Sequence, residues 1–155
     1  LISVPRYAGQ AGAVADRCLS AGFMTAGRSS GDKIAPETRV YIADTMGELG
    51  LWYRLASVSF VGGSLAPVGG HNPYEAAQLG SAILHGPNVA NFAGIYDELD
   101  QVGGAKTVHD AMTLGDALNL NDAAHRDMVT AATTVLKEGT GATDAALKAI
   151  LQYLD

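Results

Sequence analysis

The sequence is poor in cysteine and in basic residues, and it contains no long apolar run. Its single cysteine, Cys18, excludes an internal disulfide, and 10 Lys and Arg against 16 Asp and Glu give a net charge of −6. A chain with this acidic balance and no basic stripe is not expected to bind duplex nucleic acid. No apolar run approaches the ~20 residues that span a bilayer, so we expect this chain to be a soluble fragment.

Several common motifs of catalysis and nucleotide binding are also missing. No lysine stands in a P-loop pattern, and no Gly-x-Gly-x-x-Gly follows a predicted strand. There is no Gly-x-Ser-x-Gly elbow, and His85, His109 and His125 lack the spacing of metal ligands. We therefore predict neither a metal site nor a bound cofactor.

What the 155 residues do contain is a regular alternation of strand-like and helix-like segments. Strands are predicted at residues 1–5, 23–28, 39–44, 58–62, 81–86 and 105–109. Helices are predicted at residues 8–22, 48–56, 73–79 and 91–103, and two or three helices are predicted to close the chain over residues 110–120, 123–137 and 142–154. This order predicts an α/β protein with a Rossmann-like parallel sheet covered by helices on both faces.

Three of the predicted strand ends carry unusual residues. They read "VPRY" (4–7), "DTMGELG" (44–50) and "VGGSLAPVGGHN" (61–72). Open parallel sheets bind ligands beyond the carboxyl ends of their strands. We therefore expect these three segments to converge on one crevice.

The segment from Phe60 to Gly80 holds five of the chain's 19 glycines, including two Gly-Gly pairs. Asn72 is a favoured N-cap, Pro73 suits the first helical position, and Glu75 stands where a capping box places its acid. A helix start preceded by Gly69 and Gly70 predicts an anion cradle that a phosphate approaches closely. The alternative is that Glu75 only caps the helix, and His71 is either a ligand contact or a loop-stabilising residue.

The other two strand ends are open to two interpretations each. In "DTMGELG", the main-chain N–H groups around Gly47 suit a phosphate or a base, although an ordinary helix capped by Thr45 has the same pattern. Arg6, at the end of the first strand, is a candidate partner of a phosphate or carboxylate. A lone arginine is otherwise a surface residue.

Taken in order, the motifs "VPR", "DTMGELG.WY.LA..SFVGGSL.PVGGHNP.EAA.LG" and "GP...NF" resemble the 3-deoxy-D-manno-octulosonic acid (Kdo) transferases. The similarity runs from Leu1 to the terminal helices. It implies a GT-B glycosyltransferase, in which two Rossmann-like domains face each other across a cleft. Residues 1–155 resemble its C-terminal domain, which holds the nucleotide sugar CMP-Kdo, and the N-terminal acceptor domain is expected outside this chain.

The resemblance also implies the contacts of the donor. Pro5 and Arg6 would contact CMP, Met46, Gly47 and Glu48 would line the nucleotide, and Asn72, Pro73, Tyr74 and Glu75 would meet the ribose, phosphate or Kdo. Further candidates for the same site are Gly63, Ser64, Gly70 and His71. This sequence departs from the family in two places, because Tyr7 replaces the usual histidine after "PR" and "GPNVANF" (86–92) replaces "GPHTFNF".

For the whole enzyme, the resemblance implies transfer of Kdo to a lipid A precursor (lipid IVA) in lipopolysaccharide core synthesis. The general base is expected in the N-terminal domain, so no catalytic residue is assigned here and this fragment alone is expected to be inactive. The acceptor and the membrane, at the cytoplasmic face of the bacterial inner membrane, would be contacted through that missing part. Two alternatives stay open: the donor domain of another GT-B enzyme that uses a UDP-sugar, and a non-catalytic Rossmann-like interaction domain.

Overall fold

The computed structural model describes residues 1–119 and 121–153, with residues 138–146 described as backbone alone. Its strands are β1 (Ile2–Ser3), β2 (Thr25–Gly27), β3 (Val40–Ile42), β4 (Val58–Val61), β5 (Ala82–His85) and β6 (Ala105–Thr107). Its α-helices are α1 (Ala11–Ser20), α2 (Leu49–Leu55), α3 (Tyr74–Gln78), α4 (Ala93–Gln101), α5 (Ala111–Leu118) and α6 (Asp122–Leu151). Short 3-10 turns, Ala8–Gln10 and Ala90–Phe92, precede α1 and α4.

The strands form two parallel sheets of three strands each. The sheet of the first compact unit, Leu1–Trp52, has the order β1-β3-β2, and the sheet of the second unit, Tyr53–Asp155, has the order β4-β5-β6. Every described pair of neighbouring strands is parallel. This confirms the predicted α/β class. The strands form two three-stranded sheets in place of the single sheet that the sequence suggested.

In the second unit, helices cover both faces of the sheet. The central strand β5 is buried along its whole length, as expected of a strand with helices on each side. Its successive residues Ile83 and Leu84 point to opposite faces. Ile83 belongs to a cluster that includes Tyr96 of α4 and Ala132 of α6, whereas Leu84 packs with Ala117 of α5.

The first unit has a smaller core. Helix α1 packs against β2 and β3, and the buried side chains there include Ala26, Val40 and Ile42. Trp52 of α2 is also buried and meets the ring of Tyr41 edge to face, with 5.8 Å between the ring centroids. The aromatic pair stiffens the region beside the carboxyl end of β3.

The sequence left open whether two or three helices close the chain. The described residues form two, because α6 runs without a break as Asp122–Leu151 across the predicted segments 123–137 and 142–154. Glycine in a helix costs only about 1 kcal/mol relative to alanine, so the "GTG" at 139–141 does not force a break. Positions 120 and 154, the predicted ends of two helices, lie outside the described residues. No helix in residues 1–119 and 121–153 combines the length and apolar character needed to cross a bilayer.

Candidate functional site

The first candidate segment follows β1 in the first unit. Pro5 is half-buried and Arg6 is exposed. The guanidinium carbon of Arg6 lies 5.8 Å from the centroid of the Tyr7 ring, which is itself largely exposed. The tyrosine that replaces the family's histidine therefore lies beside the arginine that the sequence singles out as a phosphate partner.

The second candidate segment, turn 44–48, follows β3. Its tip is open: Met46 is 84% exposed, and Gly47 is exposed with φ +82°. Among residues 1–119 and 121–153, no acceptor is paired with the main-chain N–H of either residue. Two unpaired N–H groups at an exposed tip suit an acceptor-rich ligand such as a phosphate or a pyrimidine base.

Glu48, at the end of the same turn, is already engaged within the protein. Its two carboxylate oxygens accept hydrogen bonds from Arg28, with Nη2 to Oε1 at 2.7 Å and Nε to Oε2 at 3.1 Å. The hydroxyl of Thr45 donates to the same carboxylate. The hydrogen bonds from Arg28 and then from Thr45 lower the pKa of Glu48 to about 2 and keep the carboxylate ionised.

The start of the turn is fixed by a second pair. Asp44 accepts hydrogen bonds from the main-chain N–H of Ser29 at 2.9 Å and from its hydroxyl at 2.5 Å. These bonds, the hydroxyl one first, lower the pKa of Asp44. Both ends of turn 44–48 are thus tied to the two residues, Arg28 and Ser29, that directly follow β2.

The third candidate segment lies in the second unit, at the start of α3. The helix begins at Tyr74, one residue later than predicted, so that Pro73 and not Asn72 stands in the N-cap position. Asn72 still contacts the helix start, because its Oδ1 accepts from the N–H of Tyr74 at 2.9 Å. The predicted capping box is wrong: among the described residues no hydrogen bond joins Glu75 to the N–H of Asn72. The Glu75 side chain is exposed. Burial and then the charge of Glu75 raise the pKa of Tyr53.

The two Gly-Gly pairs lie in the segment 62–72, which we call the glycine loop. The loop closes on itself, since the N–H of Gly70 donates to the carbonyl of Gly63 at 2.9 Å. Gly69 and Gly70 have φ of +95° and +76°. A side chain on Gly69 would meet Asn91 at 2.4 Å, and one on Gly70 would meet the main chain of Val89 at 3.1 Å. The second pair is therefore needed for packing against residues 86–92, and the close approach of a phosphate that the sequence suggested stays a prediction.

Ser64 and Gly86 join these two loops. Ser64 is fully buried; its hydroxyl donates to the carbonyl of Val61 at 2.6 Å and accepts from the N–H of Gly86 at 2.8 Å. A Cβ on Gly86 would lie 2.2 Å from the carbonyl oxygen of Ser64. Asn88 and Asn91 add bonds to main-chain carbonyls of the glycine loop. Ser64 and Gly70 are thus buried parts of the scaffold rather than an open surface for a ligand.

His71 lies near the end of the glycine loop, shortly before α3. Its carbonyl accepts a hydrogen bond from the buried Tyr96 hydroxyl at 2.8 Å, and its ring lies 3.1 Å from the position of a Cβ on Gly63. Burial raises the pKa of Tyr96 far above its ordinary value, so its hydroxyl remains a donor. The main chain of His71 thus helps to hold the loop, and the role of its imidazole, as a ligand contact or a loop-stabilising group, stays a prediction.

Sequence reasoning missed the residues that hold these segments in place. Arg28 stands in a polar loop with no motif around it, and the roles of Asn88, Asn91 and Tyr96 depend on contacts more than 20 residues away along the chain. His85 is buried, with its ring nitrogens 2.8 Å from the carbonyl of Gly86 and 3.0 Å from Asp100. In the described part of the chain, no three His, Cys, Asp or Glu side chains group as metal ligands.

Comparison with known proteins adds to this geometry. No family model matches the chain. It is 33% identical over its whole length to a 3-deoxy-D-manno-octulosonic acid transferase of Haemophilus influenzae, and 33% identical over 73% of its length to one of Bordetella pertussis. It also matches a crystal structure described as the C-terminal CMP-Kdo binding domain of WaaA from Acinetobacter baumannii. That match has a TM-score of 0.81 and 38% identity, and it covers 87% of this chain and 72% of the other.

A parallel α/β fold shared with transferases at this level of identity places the chain among the glycosyltransferases. It belongs to the family of the 3-deoxy-D-manno-octulosonic acid transferases. The chain spans 37% of the length of the Haemophilus relative and 27% of the Bordetella relative.

Proposed function

We propose that this chain binds CMP-Kdo and supplies the donor-binding half of a GT-B Kdo transferase. The observation that carries the proposal is the match to a C-terminal CMP-Kdo binding domain, at a TM-score of 0.81 and 38% identity. Such identity over 87% of the chain supports a shared ligand as well as a shared fold. The proposed boundaries are residues 1–155 for this donor-binding part.

The donor contacts that we propose lie in the three candidate segments, where Pro73 is buried and the other proposed residues are half-buried or exposed. In the first unit these are Pro5, Arg6, Met46 and Gly47, and in the second unit Asn72, Pro73, Tyr74 and Glu75. Arg6 would pair with the phosphate of CMP, and the Met46 and Gly47 N–H groups would donate to the nucleotide. The donor site would contribute electrostatic stabilisation of the departing CMP phosphate without a metal ion.

For the whole protein, we propose transfer of Kdo from CMP-Kdo to lipid IVA at the cytoplasmic face of the inner membrane. The part of the relatives that this chain does not cover would bind the acceptor, contact the membrane and supply the general base. No catalytic residue is assigned to this chain.

Calorimetric titration of the chain with CMP and, separately, with UDP tests the proposal. We expect CMP to bind and UDP to bind much more weakly. A preference for UDP would indicate a different GT-B enzyme. If neither nucleotide binds, titration of the full-length protein separates a site that needs the other half from a non-catalytic interaction domain.

Two substitutions locate the site. Arg6→Ala should weaken CMP binding about tenfold, the loss of one charge-assisted contact, and reduce its dependence on salt. Arg17→Ala, an exposed arginine on α1, is the matched control. Unchanged affinity and salt dependence in Arg6→Ala would remove Arg6 from the site.

Glu75→Ala should weaken CMP binding while leaving the fold intact, because Glu75 is exposed and does not cap α3. Glu98→Ala, an exposed glutamate on α4, controls for the lost charge. Circular dichroism and the titration together decide the outcome. Loss of the fold in Glu75→Ala would assign Glu75 a structural role instead.

A further inference from the structure

Arg28 takes part in no motif of the sequence, yet its side chain makes two hydrogen bonds to the carboxylate of Glu48. We infer that Arg28 is a positioning residue that acts through Glu48 to hold the Met46–Gly47 tip in its ligand-binding shape, an inference that rests on the proposed function. The two bonds between Arg28 and Glu48 are 2.7 and 3.1 Å long. A forked pair of this kind fixes the orientation of the carboxylate as well as its distance.

The pair closes a ring around the tip. Thr45 precedes the tip and Glu48 follows it, and the Thr45 hydroxyl donates to the same carboxylate that Arg28 holds. One residue earlier, Asp44 is held by the N–H and hydroxyl of Ser29. Neighbouring residues 28 and 29 therefore anchor both sides of a tip whose own N–H groups stay open.

These contacts change the role that we assign to Glu48. Its carboxylate already accepts three hydrogen bonds, two from Arg28 and one from Thr45. An ionised carboxylate also repels a phosphate, which makes direct contact with the phosphate of CMP unfavourable. Glu48 therefore acts on the donor indirectly, by shaping the turn, and Arg28 sets its position.

Arg28 is itself anchored on a rigid surface. Its guanidinium carbon lies 5.8 Å from the centroid of the Trp52 ring, which is 7% exposed and packs against Tyr41. A cation over an aromatic face is held by the ring's charge distribution. The tip is thereby connected to the core of the first unit through Trp52, Arg28 and Glu48.

The exposure of the Arg28–Glu48 pair indicates that its loss should affect ligand binding more than stability. The side chains of Arg28 and Glu48 are 42% and 28% exposed, and ion pairs that face water contribute little to stability. A pre-organised ligand-binding turn, in contrast, lowers the entropy that binding must overcome. Loss of the pair should therefore weaken binding more than it lowers stability.

The first measurement is made on the ligand-free chain and does not depend on CMP. In the parent, ¹⁵N relaxation should give order parameters of about 0.85 for the backbone N–H groups of Met46 and Gly47. In Arg28→Ala these order parameters should fall below about 0.6. The thermal midpoint should stay within about 4 °C of the parent. Unchanged order parameters in Arg28→Ala would overturn the inference whether or not CMP binds.

The second measurement is a double-mutant cycle of CMP affinity with Arg28→Ala, Glu48→Ala and the double variant. Each single substitution should weaken binding about tenfold, and the double variant should be no weaker than either. Arg28→Lys keeps the charge without the fork and should fall between parent and Arg28→Ala; Arg17→Ala should match the parent. Additive losses would show that Arg28 and Glu48 act independently and would overturn the inference. A parent that binds no CMP would count against the proposed function, and the relaxation data would still decide the role of Arg28.

Discussion

Turn 44–48 and the glycine loop each follow the carboxyl end of a parallel strand, but different forces hold them in shape. The turn depends on side chains, through the forked ion pair of Arg28 with Glu48 and the bonds of Ser29 to Asp44. The glycine loop depends on close packing of main chain. Gly86, which lies against Ser64 of this loop, has no room for a Cβ. A fold can thus fix one loop by charge and another by the absence of side chains. The two should fail under different perturbations.

The largest effect is expected where close packing leaves no room. In Gly86→Ala the new Cβ would lie 2.2 Å from the carbonyl oxygen of Ser64, which must shift and break the bonds of the Ser64 hydroxyl. We expect a loss of about 3 kcal/mol in the free energy of unfolding, the upper end of overpacking costs. Urea unfolding followed by circular dichroism measures it.

Gly62→Ala is the matched control, because a Cβ there has nothing within 4 Å and the residue does not have a positive φ. Alanine at such a site should keep or slightly raise stability. Equal unfolding midpoints for the two variants would show that the packing of residues 86–92 on the glycine loop is looser than the structure indicates.

A smaller effect is expected from Tyr96→Phe, which removes the hydrogen bond from the Tyr96 hydroxyl to the carbonyl of His71. The ring would still fill its place in the core, so the cost should be about 1 kcal/mol for one lost bond. CMP affinity should also fall, because His71 directly precedes Asn72 and the start of α3. Tyr153→Phe, with the hydroxyl of a largely exposed tyrosine removed, is the control. A stable variant with parent affinity would mean that this bond does not shape the site.

The sequence predicted the fold well because the signals of the fold are local. Alternating apolar segments place β4 and β5 within a residue or two, and Asn72 and Pro73 mark the start of α3. The sequence left a break near residue 140 open, because glycine lowers helix propensity without forbidding a helix, and the structure has no break there. Local signals of this kind predict the helices and strands but not the tertiary contacts between them.

The candidate site was predictable where its motifs are contiguous, and not where distant residues complete it. Residues 44–48 and 69–75 were singled out as candidates from their own chemistry. Arg28 lies 20 residues before Glu48, and Ser64 lies 22 residues before Gly86. Parallel pairing of β2 with β3 and of β4 with β5 brings the residues after these strands together. No local sequence pattern indicates which of these residues will be in contact. The close approach of Val89 to Gly70 is likewise a property of two loops and not of either sequence alone.

The smallest effect is expected from acid, and it should act on turn 44–48. The pKa of Glu48 is lowered from 4.5 to about 2 in the folded chain, so between these values the unfolded state binds more protons. The contribution of Glu48 to the free energy of unfolding is therefore present above about pH 4.5 and is lost as the pH falls toward 2. The lowered pKa of Asp44 acts in the same direction.

Fluorescence of Trp52, the single tryptophan, reports thermal midpoints of this unit from pH 7 downward. In Glu48→Gln the acid-dependent loss should shrink, and salt should reduce the difference from the parent because the pair is partly exposed. Glu37→Gln, an exposed carboxylate outside the turn, is the charge-matched control. An identical acid profile in parent and Glu48→Gln would show that charge does not hold this turn, and the contrast with the glycine loop would then disappear.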